Sequence, residues 1–144
     1  MMRRILIVGA GKSTAYLLEY LLEHAAAENL FITVADKHPE NIPAHFRAHS
    51  HMEVHALDVG DTEKRKAEVE KAQVVVSMLP PALHLELAKD CLEFSKDLIT
   101  ASYVSEGMRA LDHEVKAKGL IFMNEIGLDP GIDHMSAMQV IDRI

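Results

Sequence analysis

The stretch Ile5-Leu6-Ile7-Val8-Gly9-Ala10-Gly11 constrains this chain more than any other. Four apolar residues run straight into a Gly-x-Gly turn. A helical pattern carrying Tyr16, Leu17, Leu18, Tyr20, Leu21 and Leu22 follows at once. Strand, tight glycine turn and helix, in that order, open a βαβ unit of the dinucleotide-binding kind. The glycines let the backbone turn sharply and let a pyrophosphate approach the main chain. The helix start then offers free N–H groups and a partial positive charge. Gly9, Gly11, Lys12 and Ser13 are therefore candidate cofactor-binding residues. Asp36 ends the next apolar run, Phe31-Ile32-Thr33-Val34-Ala35. An acid roughly 20 residues past the glycines is placed to accept hydrogen bonds from ribose hydroxyls. The third small residue of Gly-x-Gly-x-x-Gly is here Thr14, which predicts a helix set slightly further out or a re-spaced turn. The plainer alternative is the same fold with the loop retained and nothing bound.

At 144 residues the chain has the size of one domain, and 49 % hydrophobic content is ample for one core. No stretch approaches the roughly 20 apolar residues of a membrane span. Met1-Met2-Arg3-Arg4 enters the first strand at once, leaving no room for a signal peptide. Cys91 is the lone cysteine, inside a helical pattern, and reads as a buried small hydrophobe. These features place the chain in the cytoplasm. A net charge of −7 argues against nucleic-acid binding, which needs a basic face. Five of the nine histidines, His38, His45, His49, His51 and His55, share one polar region. None has the setting of a metal ligand, so no metal is expected and these histidines read as surface residues.

Taken in order, a helix is predicted from about Lys12 to Ala27 and ends at Asn29-Leu30. Residues 37–51 read as a loop with one helical turn around Ala44–Ala48. A third strand covers Glu53–Leu57, and Asp61 or Thr62 caps a helix whose Glu63-Lys64-Arg65-Lys66 face is solvated. Asp58 stands at a strand end, either beside adenine or as a turn former. The run Gln73–Leu79 suits a parallel strand covered on both faces, and Pro80-Pro81 stops it. Then come a helix over Ala82–Phe94, a strand over Asp97–Ala101, a helix over Glu106–Lys118 stopped by Gly119, and a strand over Leu120–Met123. This alternation predicts an α/β fold, a doubly wound parallel six-stranded sheet of the Rossmann NAD(P)-binding type in the order 3-2-1-4-5-6. Ligands then lie beyond the strand C-termini, at the switch between strands one and four.

Asp129 reads as the cap of a last helix, with Pro130 at its first position and apolar residues from Ile132 to Ile144. The sequence stops in mid-helix. The expectation is a dinucleotide-binding domain over residues 1–128, with residues 129–144 leading into a substrate and dimerisation domain that is absent.

Three polar strand ends converge on one edge: Ser77–Pro81, Thr100–Ser105 and Asn124–Gly131. Taken singly, each reads as an ordinary turn. His84 and His134 read as surface or capping residues. Asp129, Asp133 and Glu125 are candidates for proton work if partly buried, and no catalytic residue is assigned.

These strand ends carry a resemblance. Ser77-Met78-Leu79-Pro80-Pro81-Ala82-Leu83-His84, Thr100-Ala101-Ser102-Tyr103-Val104-Ser105 and Asn124-Glu125-Ile126-Gly127-Leu128-Asp129-Pro130-Gly131-Ile132-Asp133-His134-Met135 resemble the saccharopine dehydrogenase family, in its glutamate-forming branch. The last motif is long and specific, and the likeness is weakest over residues 37–52. It implies an oxidoreductase acting on a secondary amine in lysine metabolism. Hydride passes to NAD(P), and water then releases glutamate and a semialdehyde. It implies a longer protein, a homodimer when complete, with a saccharopine-like amino acid as small-molecule substrate. It implies that Gly9, Gly11 and Asp36 hold pyrophosphate and ribose, and that Asp58 and Val59 border adenine. Leu79 and Pro80 would flank the nicotinamide half, Ser102 and Tyr103 would touch substrate, and Leu128, Asp129 and Pro130 would close over the cofactor. Related enzymes forming carboxynorspermidine or homospermidine share this logic.

Asp36 favours NAD, because a 2′-phosphate would meet a carboxylate. Lys37 beside it softens that repulsion and keeps NADP as a second reading. A nucleotide-sensing regulatory domain would also show Gly-x-Gly and a strand-two acid. It has no need of Leu79-Pro80-Pro81 or of the Leu128–His134 motif. A structural module that binds no nucleotide is the third alternative.

Overall fold

A computed structural model describes residues 2–143 of the chain. Six strands form one parallel sheet: β1 (Arg3–Val8), β2 (Leu30–Asp36), β3 (Met52–Ala56), β4 (Val74–Ser77), β5 (Asp97–Thr100) and β6 (Phe122–Met123). The order is β3-β2-β1-β4-β5-β6, as the alternation of elements predicts. The chain reverses direction across the sheet between β3 and β4, so the ends of β1 and β4 meet at the switch point. Val8 and Ser77 are register partners there.

Two hydrophobic layers flank the sheet. On one face α1 (Thr14–Glu28), a 3₁₀ turn (Pro39–Asn41) and α2 (Ala44–Arg47) bury Leu18, Leu22, Ala25, Ile42 and Phe46 against Ile7, Ile32 and Val34. On the other, α3 (Thr62–Lys71), α4 (His84–Glu93) and α5 (Glu106–Ala110) set Val69, Leu87, Ala88, Cys91 and Met108 against Leu6, Val8, Val75 and Leu98. Successive strand residues point to opposite faces, which is why Leu6 and Ile7 belong to different layers. Cys91 is fully buried, as expected, and burial pushes its thiol up to about 12.

The ends of α1 and α3 follow the local signals. Asn29 closes α1 in a left-handed conformation (φ 52°), which asparagine tolerates better than most residues. The Asp61 carboxylate accepts from the Lys64 N–H at 3.2 Å and caps α3.

Several expectations are corrected. β4 is covered less completely on the α1 side than on the other. Val75 is fully buried, while Val74 and Val76 are half-buried and Val76 packs at the edge of the α1 layer. A groove of about 530 Å³ lies there, lined by Leu17, Leu21, Val76, Ile99, Ala101 and Leu128 among others. The helix expected over Ala82–Phe94 opens as a 3₁₀ turn (Pro81–Leu83) before α4. The helix expected over Glu106–Lys118 breaks at Leu111 into α5 and α6 (Asp112–Ala117). β6 keeps only two of its four expected residues. Arg65 is not on a solvated face. One turn from Val69, it points inward and is 5 % exposed.

The last helix, α7 (Ile132–Ile141), starts later than its cap was expected. Gly131, not Asp129, is the N-cap, with φ 145° and its N–H on the Asp133 carboxylate. Pro130 lies before the helix, and Gly127 donates to the Pro130 carbonyl. Asp129 is drawn instead to Tyr103. Ile144, where the helix was expected to end, lies outside the described residues.

Candidate functional site

The glycine turn is built by packing against β4. Gly9 has φ 101°, and a Cβ there would stand 2.9 Å from the Met78 carbonyl oxygen. Only glycine fits both the conformation and the space. At Gly11 a Cβ would meet no atom within 4 Å, so nothing in the fold itself demands glycine. A bare backbone facing open space is what a closely approaching pyrophosphate needs. Gly11, Lys12 and Ser13 are all exposed at the start of α1, and the Ser13 hydroxyl caps nothing.

Thr14 does not leave its hydroxyl stranded. It is 2 % exposed, and its Oγ1 donates to the Gly9 carbonyl at 3.2 Å. The threonine thus ties the first turn of the helix back onto the glycine turn, where the usual motif has a small residue.

Asp36 is bound into the same structure. Its Oδ2 accepts from the Ala10 N–H at 2.7 Å and its Oδ1 from the His38 N–H at 2.6 Å. Each carboxylate oxygen keeps a further lone pair for an incoming hydroxyl. Lys37 reaches across to Asp58, Nζ to Oδ2 2.9 Å. Asp58 Oδ1 also accepts from the Gly60 N–H, so this residue forms its turn and faces the site at once. The Lys37 contact, with the Gly60 N–H, holds the Asp58 carboxyl below its ordinary value. Gly9, Asp36, Lys37, Asp58, Val59 and Leu79 line a single pocket of about 240 Å³. Gly11 and Lys12 line a neighbouring one of about 450 Å³. The donors and acceptors present fit a dinucleotide: exposed amides at a helix start, an acid at a strand end and an apolar slot.

The second half of the site is held by a residue misjudged from sequence. His84 is not a surface residue. It is 4 % exposed and forms a knot of polar side chains under the ends of β4 and β5. Its Nδ1 bonds Ser77 Oγ at 2.7 Å, and its Nε2 bonds Ser102 Oγ at 2.7 Å and Thr100 Oγ1 at 3.2 Å. Ser77 and Thr100 are buried as well. Burial lowers the imidazole below its ordinary value. A signal was present in the sequence: Ser77 and Thr100 each end a buried strand, and such hydroxyls need partners.

Above this knot the loops clasp one another. Glu125 donates its N–H to the Ser102 carbonyl and accepts from the Val104 N–H on Oε1. Tyr103 is exposed and donates its phenol proton to Asp129 Oδ1 at 2.6 Å. That bond pushes the Tyr103 hydroxyl up to about 12. His134 takes the capping role expected for it, with Nδ1 within reach of the Gly131 N–H and of Asp133. Pro80 precedes the 3₁₀ turn as its N-cap, and Leu128 stands 74 % exposed at the rim of the groove beside α1. Glu125 and Asp133 are exposed, so neither is a buried acid. Among the polar-region histidines, His38 and His45 lie on the surface, while His49, His51 and His55 are half-buried. His55 sits between Glu68 (2.9 Å) and Glu53 (3.7 Å). Among the described residues no group of three or more His, Cys, Asp or Glu side chains is placed to hold a metal ion.

A doubly wound parallel sheet with its glycine turn at the switch point and an acid ending the second strand defines a Rossmann domain. Residues 5–123 match the model of the saccharopine dehydrogenase NADP binding domain, and the chain belongs to that family. The saccharopine dehydrogenase (NADP(+), L-glutamate-forming) of Pyricularia oryzae is 34 % identical over 142 residues, 99 % of this chain and 31 % of that protein. The alpha-aminoadipic semialdehyde synthase of Arabidopsis thaliana is 39 % identical over 119 residues, 83 % of this chain and 10 % of its own length. The apo saccharopine dehydrogenase (L-Glu forming) of Saccharomyces cerevisiae superposes with a TM-score of 0.80 at 31 % identity, over 99 % of this chain and 31 % of that one. This chain thus spans under a third of the fungal relatives. Membership in this family leaves the regulatory-domain reading without support.

Proposed function

We propose that this chain is the cofactor domain of an oxidoreductase that oxidises the CH–NH group of a saccharopine-like secondary amine, or runs the reverse condensation. The observation that carries the reading is the single pocket shared by Gly9, Asp36, Lys37, Asp58, Val59 and Leu79 at the switch point. Bound NAD(P) supplies the hydride acceptor or donor. The chain's own residues bind and orient. Gly11, Lys12 and Ser13 face the pyrophosphate, Asp36 accepts from ribose, and Asp58 and Val59 border adenine. Leu79 and Pro80 flank the nicotinamide half, which Leu128, Asp129 and Pro130 close. Ser102, fixed by the His84 imidazole, and Tyr103, fixed by Asp129, face the substrate. With its hydroxyl raised to about 12, Tyr103 stays protonated at neutral pH.

We infer NAD as the preferred dinucleotide. Asp36 is an acid where a 2′-phosphate would stand, although the fungal relatives are named for NADP(+). Residues 1–128 make up the dinucleotide unit, and residues 129–144 lead toward a substrate and dimerisation domain of a homodimeric protein. Coverage of under a third of the fungal relatives supports that division. A buried, unpaired thiol and the absence of any helix long and apolar enough to cross a membrane among the described residues suit a cytoplasmic setting. Titration calorimetry with NADH and with NADPH tests the reading. NADH is expected to bind more tightly, and Asp36→Ala to weaken it. Unchanged NADH affinity in that variant would remove the ribose assignment, and no binding of either dinucleotide would remove the function.

A further inference from the structure

The cation that follows Asp36 stands where NADP-binding relatives of this fold place the basic residue that meets a 2′-phosphate. Lys37 is not free to do so. Its ammonium lies 2.9 Å from Asp58 Oδ2, at the tip of the neighbouring strand. Both side chains are more than half exposed, at 65 % and 57 %, and both line the pocket that contains Asp36. The tips are held at fixed spacing, since Leu57 donates its N–H to the Asp36 carbonyl at 2.9 Å. Asp58 is in turn fixed by the Gly60 N–H.

We propose that Asp58 is a specificity-determining residue that acts through Lys37: by engaging the ammonium it withholds the cation that follows Asp36 and so biases the pocket against a 2′-phosphate. The proposal rests on the dinucleotide reading of the pocket. It assigns cofactor choice to two residues together, the acid that meets the ribose and the acid that occupies the neighbouring lysine. An exposed ion pair is weak, so the bias is one that a single substitution can undo.

Asp58→Asn tests this. The amide oxygen can still accept from Gly60, so the turn is kept, while the charge that holds Lys37 is removed. Affinities for NADH and NADPH are measured by titration calorimetry on four proteins: the unaltered chain, Asp58→Asn, Lys37→Met and the double variant. Asp58→Asn is expected to shift the affinity ratio toward NADPH by about fivefold, and the shift is expected to vanish in the Lys37→Met background. That coupling separates release of Lys37 from loss of the Asp58 charge alone. NADH bound normally with an unmoved ratio overturns the proposal and leaves the proposed function standing. A shift of equal size without Lys37 also overturns it, because Asp58 then acts by its own repulsion. Failure of the unaltered chain to bind either dinucleotide overturns both.

Discussion

Two glycines two residues apart are required for different reasons, and this gives paired expectations at the scale of single residues. Gly9 is demanded by the fold, since its φ of 101° and the Met78 carbonyl leave no place for a side chain. Gly9→Ala is expected to cost about 1–3 kcal/mol of stability, read by urea unfolding. Gly11 is demanded by nothing inside the protein. Gly11→Ala is expected to leave the unfolding midpoint in place and to weaken NADH binding in calorimetry. His84 offers a second residue-level expectation, in pH. Burial holds its folded value below the ordinary one, so the unfolded chain takes up the proton first and folding favours the neutral ring. Its contribution is fully present above about pH 6.5 and is lost as the pH falls below that. In His84→Gln, unfolding free energy measured from pH 8 to pH 5 should fall less steeply than in the unaltered chain. His84→Leu, which strands the Ser77, Thr100 and Ser102 hydroxyls, should cost about 1–3 kcal/mol at pH 8. Equal slopes for Gln and the native residue would remove the titration from His84.

Between elements, the tie most exposed to a single substitution joins α3 to α4. Arg65 Nε donates to Asp90, and its Nη1 donates to the Val59 carbonyl at 2.6 Å. Both side chains are almost fully buried. Asp90→Ala leaves a buried guanidinium without its carboxylate and is expected to cost about 3–5 kcal/mol in chemical denaturation. Asp90→Leu with Arg65→Met should recover much of that loss, since a buried pair is often no better than apolar side chains of similar volume. The sequence contained this tie only as two charged letters far apart. A Glu-Lys-Arg-Lys run reads as solvated until the helix is phased against the sheet, and the phase comes from Val69 four residues on. The strands, the glycine turn and the Asp61 cap were legible from local apolar runs and capping residues, and the strand order from the alternation of strands and helices. The break at Leu111, the short β6 and the start of α7 were not. At the last of these Asp129 is engaged by Tyr103, 26 residues away, instead of capping the helix. His84 was misjudged for the same reason, because its three hydroxyl partners arrive from other strand ends.

For the molecule as a whole, the uneven dressing of the sheet is the dominant fact. One face is covered along most of its width, while on the α1 side the cover thins over β4 and β5 to an apolar groove. The last helix, α7, buries none of its residues, and Ile132, Met135, Met138, Val140 and Ile141 are each more than half exposed. Apolar surface of this kind drives association in water. Light scattering at rising concentration should report self-association, and Met135→Lys with Ile141→Lys should reduce it without lowering the thermal midpoint. A monomer at all concentrations would show that the exposed helix alone is too small a surface to bring copies together.

Asp36 accepts two backbone bonds, from Ala10 and His38. The residue that would choose the ribose is therefore also a fastener of the glycine turn. Exchanging this acid for a residue that cannot accept both bonds removes a tie from the turn in the same step. Drift between the two dinucleotides is then channelled away from the residue that reads the sugar and onto its mutable neighbours. Proteins of this fold that share the fastener should keep the acid and vary around it.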